Sequence, residues 1–397
     1  MVCSMDRPID SSPYYKSKVS LRAGNVNLEL AVGHTLFSTA AVDAGTRQLL
    51  KSLSNIDPPS SILDLGCGYG PIGLALKARF PQAGLHMVDR DALAIRFARA
   101  NAAENGIPDV SVYGSVGYGA VDRKFDLLVS NVPGKAGDPV ISSLITGARN
   151  ALEASGLAAV VVVSPLADLV AATLQSAHAR QILRVDGKNH SVFHFTFDGA
   201  TIEEAEDELD TVHIRDTRVF SCGSLTWKTD TVWGIPEFDS LSYSTVLAIG
   251  ELDRLSQPDH MLLFDPGQVH LPTAAALRWN PRRITLTDRD LLALQTSEQT
   301  LRENGYRGSI ARAHTSDLET IDSRFDVVAG FLPEKVPPQV ANSLLDQAKR
   351  LSRAEILLAG RSTAVTRLQD RATTDGLVLD HRARKHGSSA AVFRKAT

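Results

Sequence analysis

Residues 61–73 read Ser-Ile-Leu-Asp-Leu-Gly-Cys-Gly-Tyr-Gly-Pro-Ile-Gly, and the fold of the chain is decided there. A short apolar run carries one acid, Asp64, and opens into four glycines within eight residues: Gly66, Gly68, Gly70 and Gly73. A buried parallel strand hands over to a helix in this way, and glycine lets a nucleotide-like ligand reach bare backbone. A dinucleotide, a flavin or S-adenosylmethionine could occupy such a turn. The acid narrows the choice. A pyrophosphate held by helix-terminal amides wants no carboxylate beside it, whereas Asp64 suits a cationic group such as the amino group of a methionine moiety.

The rest of the chain is compatible with two such α/β units. Its 397 residues are too many for one compact α/β domain, and 43% hydrophobic content with mixed charge is ordinary for a globular protein. The sequence holds no run of 18 apolar residues, and its first residues lack the apolar core of a signal peptide, so neither a membrane span nor export is expected. Cys3, Cys67 and Cys222 lie far apart without metal-ligand spacing, which fits a reducing cytoplasm and predicts neither metal nor disulfide. The net charge of −3 argues against a tight, sequence-blind polyanion binder. Six acids crowd into residues 201–210; without them the second half is slightly basic. Charge alone therefore neither requires nor forbids an RNA partner.

An internal repeat with an offset near 200 residues organises the chain. Asp122-Arg-Lys-Phe-Asp126-Leu-Leu-Val recurs as Asp322-Ser-Arg-Phe-Asp326-Val-Val-Ala, Pro133-Gly-Lys135 as Pro333-Glu-Lys335, and Glu104-Asn105-Gly106 as Glu303-Asn304-Gly305. Asp89-Arg-Asp-Ala recurs as Asp288-Arg-Asp-Leu, and Ser-Val-Phe193 as Ala-Val-Phe393. Matches in this order mean duplication. In the first copy the pattern predicts strands at 62–65, 84–88, 125–130 and 157–163, helices at 72–79 and 92–105, and an antiparallel edge strand at 193–197. The expected organisation is a cofactor-binding domain at 1–198, an acidic linker at 199–210 and a second domain at 211–397. The second copy reads Asp265-Pro-Gly-Gln-Val-His-Leu-Pro where the first has Asp64-Leu-Gly-Cys-Gly-Tyr-Gly. Side chains and prolines there predict a copy unable to bind the ligand.

The stretch 61–73 resembles motif I of class I S-adenosylmethionine-dependent methyltransferases. That resemblance implies two tandem Rossmann-like domains, the second degenerate. It places Asp64, Gly66, Cys67, Gly68 and Gly70 at the cofactor, with Asp89 on the ribose and Ser115 where the family usually has an acid against adenine. Asn131-Val-Pro133-Gly resembles the Asn-Pro-Pro-aromatic motif of enzymes that methylate planar nitrogens, so Asn131 and Pro133 are the expected catalytic residues. Val132 and Gly134 depart from that motif. The segments 34–38 and 42–46 resemble those preceding motif I in rRNA guanine-N2 methyltransferases, which makes Phe37 a candidate stacking surface or a core residue. Lys135 is a candidate phosphate contact, and Arg382, Arg384 and Lys385 form a basic cluster in the second copy.

Nearly the whole chain resembles the two-domain rRNA guanine-N2 methyltransferases, with the order of active and degenerate copies reversed. The expectation is a cytoplasmic enzyme of rRNA processing that methylates a guanine exocyclic amine. Methylation of a small molecule or protein glutamine, and a non-catalytic RNA-binding scaffold, are the alternatives. Oligomeric state is not encoded in any motif.

Overall fold

A computed structural model describes residues 8–197, 211–374 and 376–396; the acidic stretch 201–210 lies outside them. The chain divides into two compact units, Pro8–His213 and the residues from Ile214 onward.

The first unit opens with a hairpin of β1 (Tyr15–Ala23) and β2 (Val26–Gly33), followed by α1 (Ala44–Ser52). The sheet elements then run β3 (Ser61–Leu65), α2 (Pro71–Arg79), β4 (Gly84–Asp89), α3 (Ala92–Glu104), β5 (Val110–Gly114) and β6 (Phe125–Asn131). They continue with α4 (Asp138–Thr146), α5 (Ala148–Ala151), β7 (Leu152–Val163), α6 (Ala167–Ser176), β8 (Ala179–Asp186) and β9 (His190–Phe197). The seven strands are ordered β5-β4-β3-β6-β7-β9-β8. The first five are parallel, and β9 is antiparallel to both of its neighbours. From β3 the chain moves outward through β4 and β5, then returns to β6 on the other side. This reversal opens a crevice beyond the C-terminal ends of β3 and β6, where ligands of open α/β sheets bind.

The expected edge strand at 193–197 is corrected. β9 lies inside the sheet with six consecutive buried residues, and β8 forms the edge. β8 escapes pattern reading because nearly all of it is exposed. It buries no alternating face that would mark it as a strand. Helix α3 ends where Asn-Gly signals it, with Asn105 as C-cap and Gly106 at φ +62°.

Two asparagines on α3 fasten the hairpin to the sheet. Asn101 Oδ1 accepts from Ala31 N at 2.7 Å, and its Nδ2 donates to the Ala31 and Tyr69 carbonyls at 3.0 and 2.9 Å. One turn on, Asn105 pairs the same way with Glu29, at 3.1 and 2.9 Å. Each amide thus substitutes for the missing neighbour of the edge strand β2. Asn101 is fully buried, so its loss leaves three backbone groups without partners. Asn101→Ala should lower unfolding free energy by about 2–4 kcal/mol, read by denaturant titration, while Asn105→Ala at the exposed end costs less.

The second unit repeats the plan. A hairpin of β10 (Ile214–Cys222) and β11 (Leu225–Val232) leads through α7 (Tyr243–Glu251) to β12 (His260–Phe264), α8 (His270–Trp279), β13 (Arg283–Asp288), α9 (Leu291–Glu303) and β14 (Ser309–His314). β15 (Phe325–Phe331), α10 (Pro338–Leu351), β16 (Ser352–Arg361), α11 (Ser362–Thr374), β17 (Leu377–Lys385) and β18 (Ser388–Lys395) complete it. Its sheet order, β14-β13-β12-β15-β16-β18-β17, matches the first strand for strand. Both hairpins carry a register shift at the same place, between Tyr15 and Ser17 and between Ile214 and Asp216. Asn304 pairs with Lys228 as Asn105 does with Glu29.

Candidate active site

The turn after β3 is folded by its own amides. Gly66 N and Cys67 N both donate to Val88 O at 2.9 Å, Gly68 N to Asp89 Oδ2 at 2.8 Å, and Gly70 N to Cys67 O at 2.9 Å. With these N–H groups committed, the turn is a poor anion site. The exposed Gly66 carbonyl accepts no hydrogen bond among the described residues and is available to a cation. Gly66 and Gly68 stand at φ +73° and +56°, where a Cβ would be strained, and the space it would fill is open. Gly73 serves packing instead: a Cβ there would lie 2.9 Å from both Asp64 Oδ2 and Met87 Sδ. Helix α2 can approach β3 and β4 only because that side chain is missing.

Asp64 is fully buried at the end of β3. Its Oδ2 accepts from Gly73 N at 2.8 Å, while Oδ1 has no partner. Burial raises its pKa to about 7, against the pull of the Gly73 amide, and the Asp89 charge adds to the rise. Asp89, half-buried at the end of β4, is raised to about 6 by burial and by Asp91, while the Asp91 and Gly68 amides hold it down. Its two oxygens accept from those amides at 2.9 and 2.8 Å. The N-cap of α3 is Asp91, which accepts from Leu93 N, so Asp89 is left to the turn and the crevice.

Two expected cofactor contacts have structural duties in the turn. Ser115 is buried, and its hydroxyl donates to Gly117 O at 2.8 Å and accepts from Ala120 N at 3.0 Å, so it closes a turn and has its one donor committed. Cys67 is buried too, with its amide committed and its thiol turned to Gly68 O; burial raises that thiol's pKa well above its ordinary value. It shapes the turn and offers the ligand no side-chain group.

Beside this turn, Ser130 Oγ donates to Leu65 O at 2.7 Å and locks the end of β6 to β3. The next residue, Asn131, donates from Nδ2 to Asp43 Oδ2 and Thr46 Oγ1, each at 3.2 Å. Asp43 is the N-cap of α1, and the same oxygen accepts from Gly45 N and Thr46 N at 2.9 and 3.3 Å. A carboxylate oxygen holding backbone donors can face only the NH₂ side of Asn131, which turns Oδ1 away from it and leaves it free to accept. His190 Nε2 lies 3.8 Å from that oxygen, and a Cβ on Gly45 would collide with both at 2.8 Å. Asp43 and Thr46 had no role assigned from sequence. Their signal was the Asp-x-Gly-Thr spacing of a helix start.

Around Asn131, Pro133, Gly134 and Lys135 are exposed, and Lys135 has no partner among the described residues. Phe37 is 68% exposed in the loop after β2, which rules out the core reading. Thr35 and Ser38 flank it at φ +71° and +57°, and Tyr69 Oη donates to Ser38 O at 3.4 Å.

The second unit has the same turn, with side chains at two of the glycine positions. Matching amides, Asp265 N to Thr287 O and Val269 N to Pro266 O, put Asp265 in the place of Gly66 and Val269 in that of Gly70. Equating Asp265 with Asp64 is therefore wrong; Leu263 stands at the end of β12 where β3 has Asp64. Gln268, buried, bonds Val232 N, Val232 O and Ile235 O at 3.2, 3.1 and 2.9 Å. His270 is buried against Phe220 and Trp227, and Phe331 takes the place of Asn131. The basic cluster lies on strand β17. Arg382 spends its guanidinium on Ser362 O, Thr366, Gln369 and Ser389, leaving Arg384 and Lys385 exposed.

The family model described as Methyltransferase small domain matches residues 27–185. The uncharacterized protein YbxB of Bacillus subtilis is 33% identical over 157 residues, 37% of this chain and 78% of that protein. The chain belongs to this methyltransferase family. Ribosomal RNA small subunit methyltransferase C of Haemophilus ducreyi is 38% identical over 125 residues, 30% of this chain, and the match spans only 38% of its length. The T. thermophilus 16S rRNA N2 G1207 methyltransferase, solved with AdoMet and guanosine, superposes over 98% of this chain and 99% of its own with a TM-score of 0.67. At 12% identity that likeness establishes the fold.

As a member, the enzyme uses S-adenosylmethionine. The orphaned Asp64 Oδ1, the uncommitted Gly66 carbonyl and the open space at Gly66 and Gly68 fit its cationic methionine end. Because both folded-state carboxylate values lie above the ordinary 3.8, these groups favour the ligand-free fold most at low pH, and that contribution is lost as pH rises through about 6 and 7. A cation rewards the ionised form. Titration calorimetry should return one cofactor per chain, with affinity rising between pH 6 and 8, and Asp64→Asn should flatten the upper part of the rise. PH-independent binding by the wild type would remove Asp64 from cofactor recognition.

Proposed function

We propose that the enzyme methylates a guanine exocyclic amine in RNA, with rRNA in the cytoplasm as its substrate. The observation that carries this reading is the clamped amide of Asn131, whose NH₂ is held by Asp43 and Thr46 so that its oxygen is turned away from the carboxylate and free to accept. The relatives, an rRNA small-subunit methyltransferase and a 16S rRNA N2 G1207 methyltransferase, support the same substrate class.

An exocyclic amine delocalises its lone pair into the base and is a weak nucleophile. Asn131 Oδ1 accepts one N–H of that amine and holds its nitrogen in line, so orientation and electrostatics rather than a strong base provide the acceleration. S-adenosylmethionine, when bound, supplies an electrophilic methyl group on a sulfonium. Pro133 stiffens the loop that carries Asn131, Phe37 stacks on the base in place of the aromatic lost at Gly134, and Lys135 meets a flanking phosphate. The second domain, with Arg384 and Lys385 exposed on β17, orients the RNA.

Asn131→Ala should reduce kcat by about 10²-fold or more with cofactor affinity unchanged. Asp43→Ser keeps an N-cap for α1 but cannot reach Asn131; it should lower kcat while leaving the melting temperature within a few degrees. Mass spectrometry of rRNA nucleosides from cells lacking the gene should reveal loss of one N2-methylguanosine. Unchanged rRNA, with activity on free glutamine peptides or small amines, would overturn the RNA assignment.

A further inference from the structure

The second unit holds a cavity that neither its turn nor the methyl transfer explains. About 120 Å³ is enclosed by residues 332–338, the first turns of α10, the end of β16 and the start of α11. The loop follows β15 as the loop of Pro133 and Lys135 follows β6, so the hollow lies on what would be the acceptor side of this unit. Phe331 stands where Asn131 would be, and no group at that position accepts an amine N–H. Whatever enters is held, not modified.

The lining has the chemistry of a nucleotide site. Leu332, Pro337 and Leu368 form apolar walls, and the volume approaches the roughly 150 Å³ that takes up a benzene ring. Asn342 is half-buried in the wall, and its amide makes no hydrogen bond among the described residues. Lys335 and Arg367 are exposed at the rim, and neither has an ion-pair or hydrogen-bond partner there. Glu334, the one acid among the lining residues, is taken by Arg361 at 3.2 and 3.4 Å. Two free cations, one free amide and an apolar slot of ring size are left over.

We propose that this cavity binds one unpaired nucleotide of the RNA substrate, with the base in the apolar slot, its edge on Asn342, and its phosphate on Lys335 and Arg367. The inference rests on the reading that the substrate is RNA. A splayed-out nucleotide is the element of single-stranded RNA that offers a flat apolar face, hydrogen-bonding edge and phosphate together. The hollow then gives the degenerate unit a way to fix the strand's register.

The test uses the full chain. Lys335→Glu with Arg367→Glu removes two cations that hold nothing in the fold, and Ala364→Phe fills the slot from α11. Fluorescence anisotropy with a single-stranded RNA oligonucleotide should give about tenfold weaker binding for each, with a shallower salt dependence for the charge variant only. Cofactor affinity and melting temperature should stay at wild-type values. A 4-thiouridine-substituted RNA should crosslink to a peptide from 332–342 or 362–368. Wild-type RNA affinity in both variants, with methylation intact, overturns this site and leaves the RNA assignment standing. No RNA binding by the wild-type chain overturns both.

Discussion

The proposed chemistry of this enzyme hangs on a hydrogen bond between two side chains 88 residues apart, Asn131 Nδ2 and Asp43 Oδ2. An amide has a donor end and an acceptor end, and a carboxylate that already holds the N-terminal amides of α1 decides which end faces outward. The bond forms because Asp43 caps a helix lying over the end of β6, and because Gly45 leaves room for Asp43 and His190 together. Ser130, one residue earlier, ties the same strand end to β3, so the amide and the glycine turn share one rigid rim. Helix cap, strand end and glycine turn each have ordinary structural duties, and the active site is their intersection.

The two units are a natural comparison of one scaffold with and without a ligand to hold. In the first, the turn is left open: Gly66 and Gly68 border empty space, and Asp64 keeps an unpaired oxygen. An unpartnered buried carboxylate costs stability, and burial lifts its pKa to about 7. In the second unit that cost has been removed. Leu263 takes the acid's place, and Gln268 satisfies the hairpin backbone from inside the turn. Asp288 remains from the shared plan, with its pKa pushed far up by burial and by the neighbouring Asp265. Relaxed selection for binding lets a site close, because a packed interior is more stable than a hollow one.

Reading the sequence succeeded where one residue's chemistry is tied to one local geometry. The glycine turn and the Asn-Gly stop of α3 are of that kind, as is Asn131 at a strand end. It failed where a residue's duty is set by something distant. Ser115 looked like an adenine contact because of its place after β5, yet Gly117 and Ala120 claim its hydroxyl. Arg382 belongs by sequence to a basic cluster, yet Ser362, Thr366 and Gln369 hold its guanidinium. Asp265 was matched to the wrong partner because letters align more readily than hydrogen bonds do.

The sequence by itself determined the duplication, the α/β class, the intact and damaged turns, and the family, since periodicity, glycine placement and motif spacing are local and survive without coordinates. Only the tertiary structure decided that β9 is interior, that Phe37 faces solvent, that Gln268 ties the second turn to its hairpin, and which end of Asn131 is free. Those depend on which groups meet across the fold, and a hydrogen-bond partner 88 positions away leaves no trace in the residues beside it.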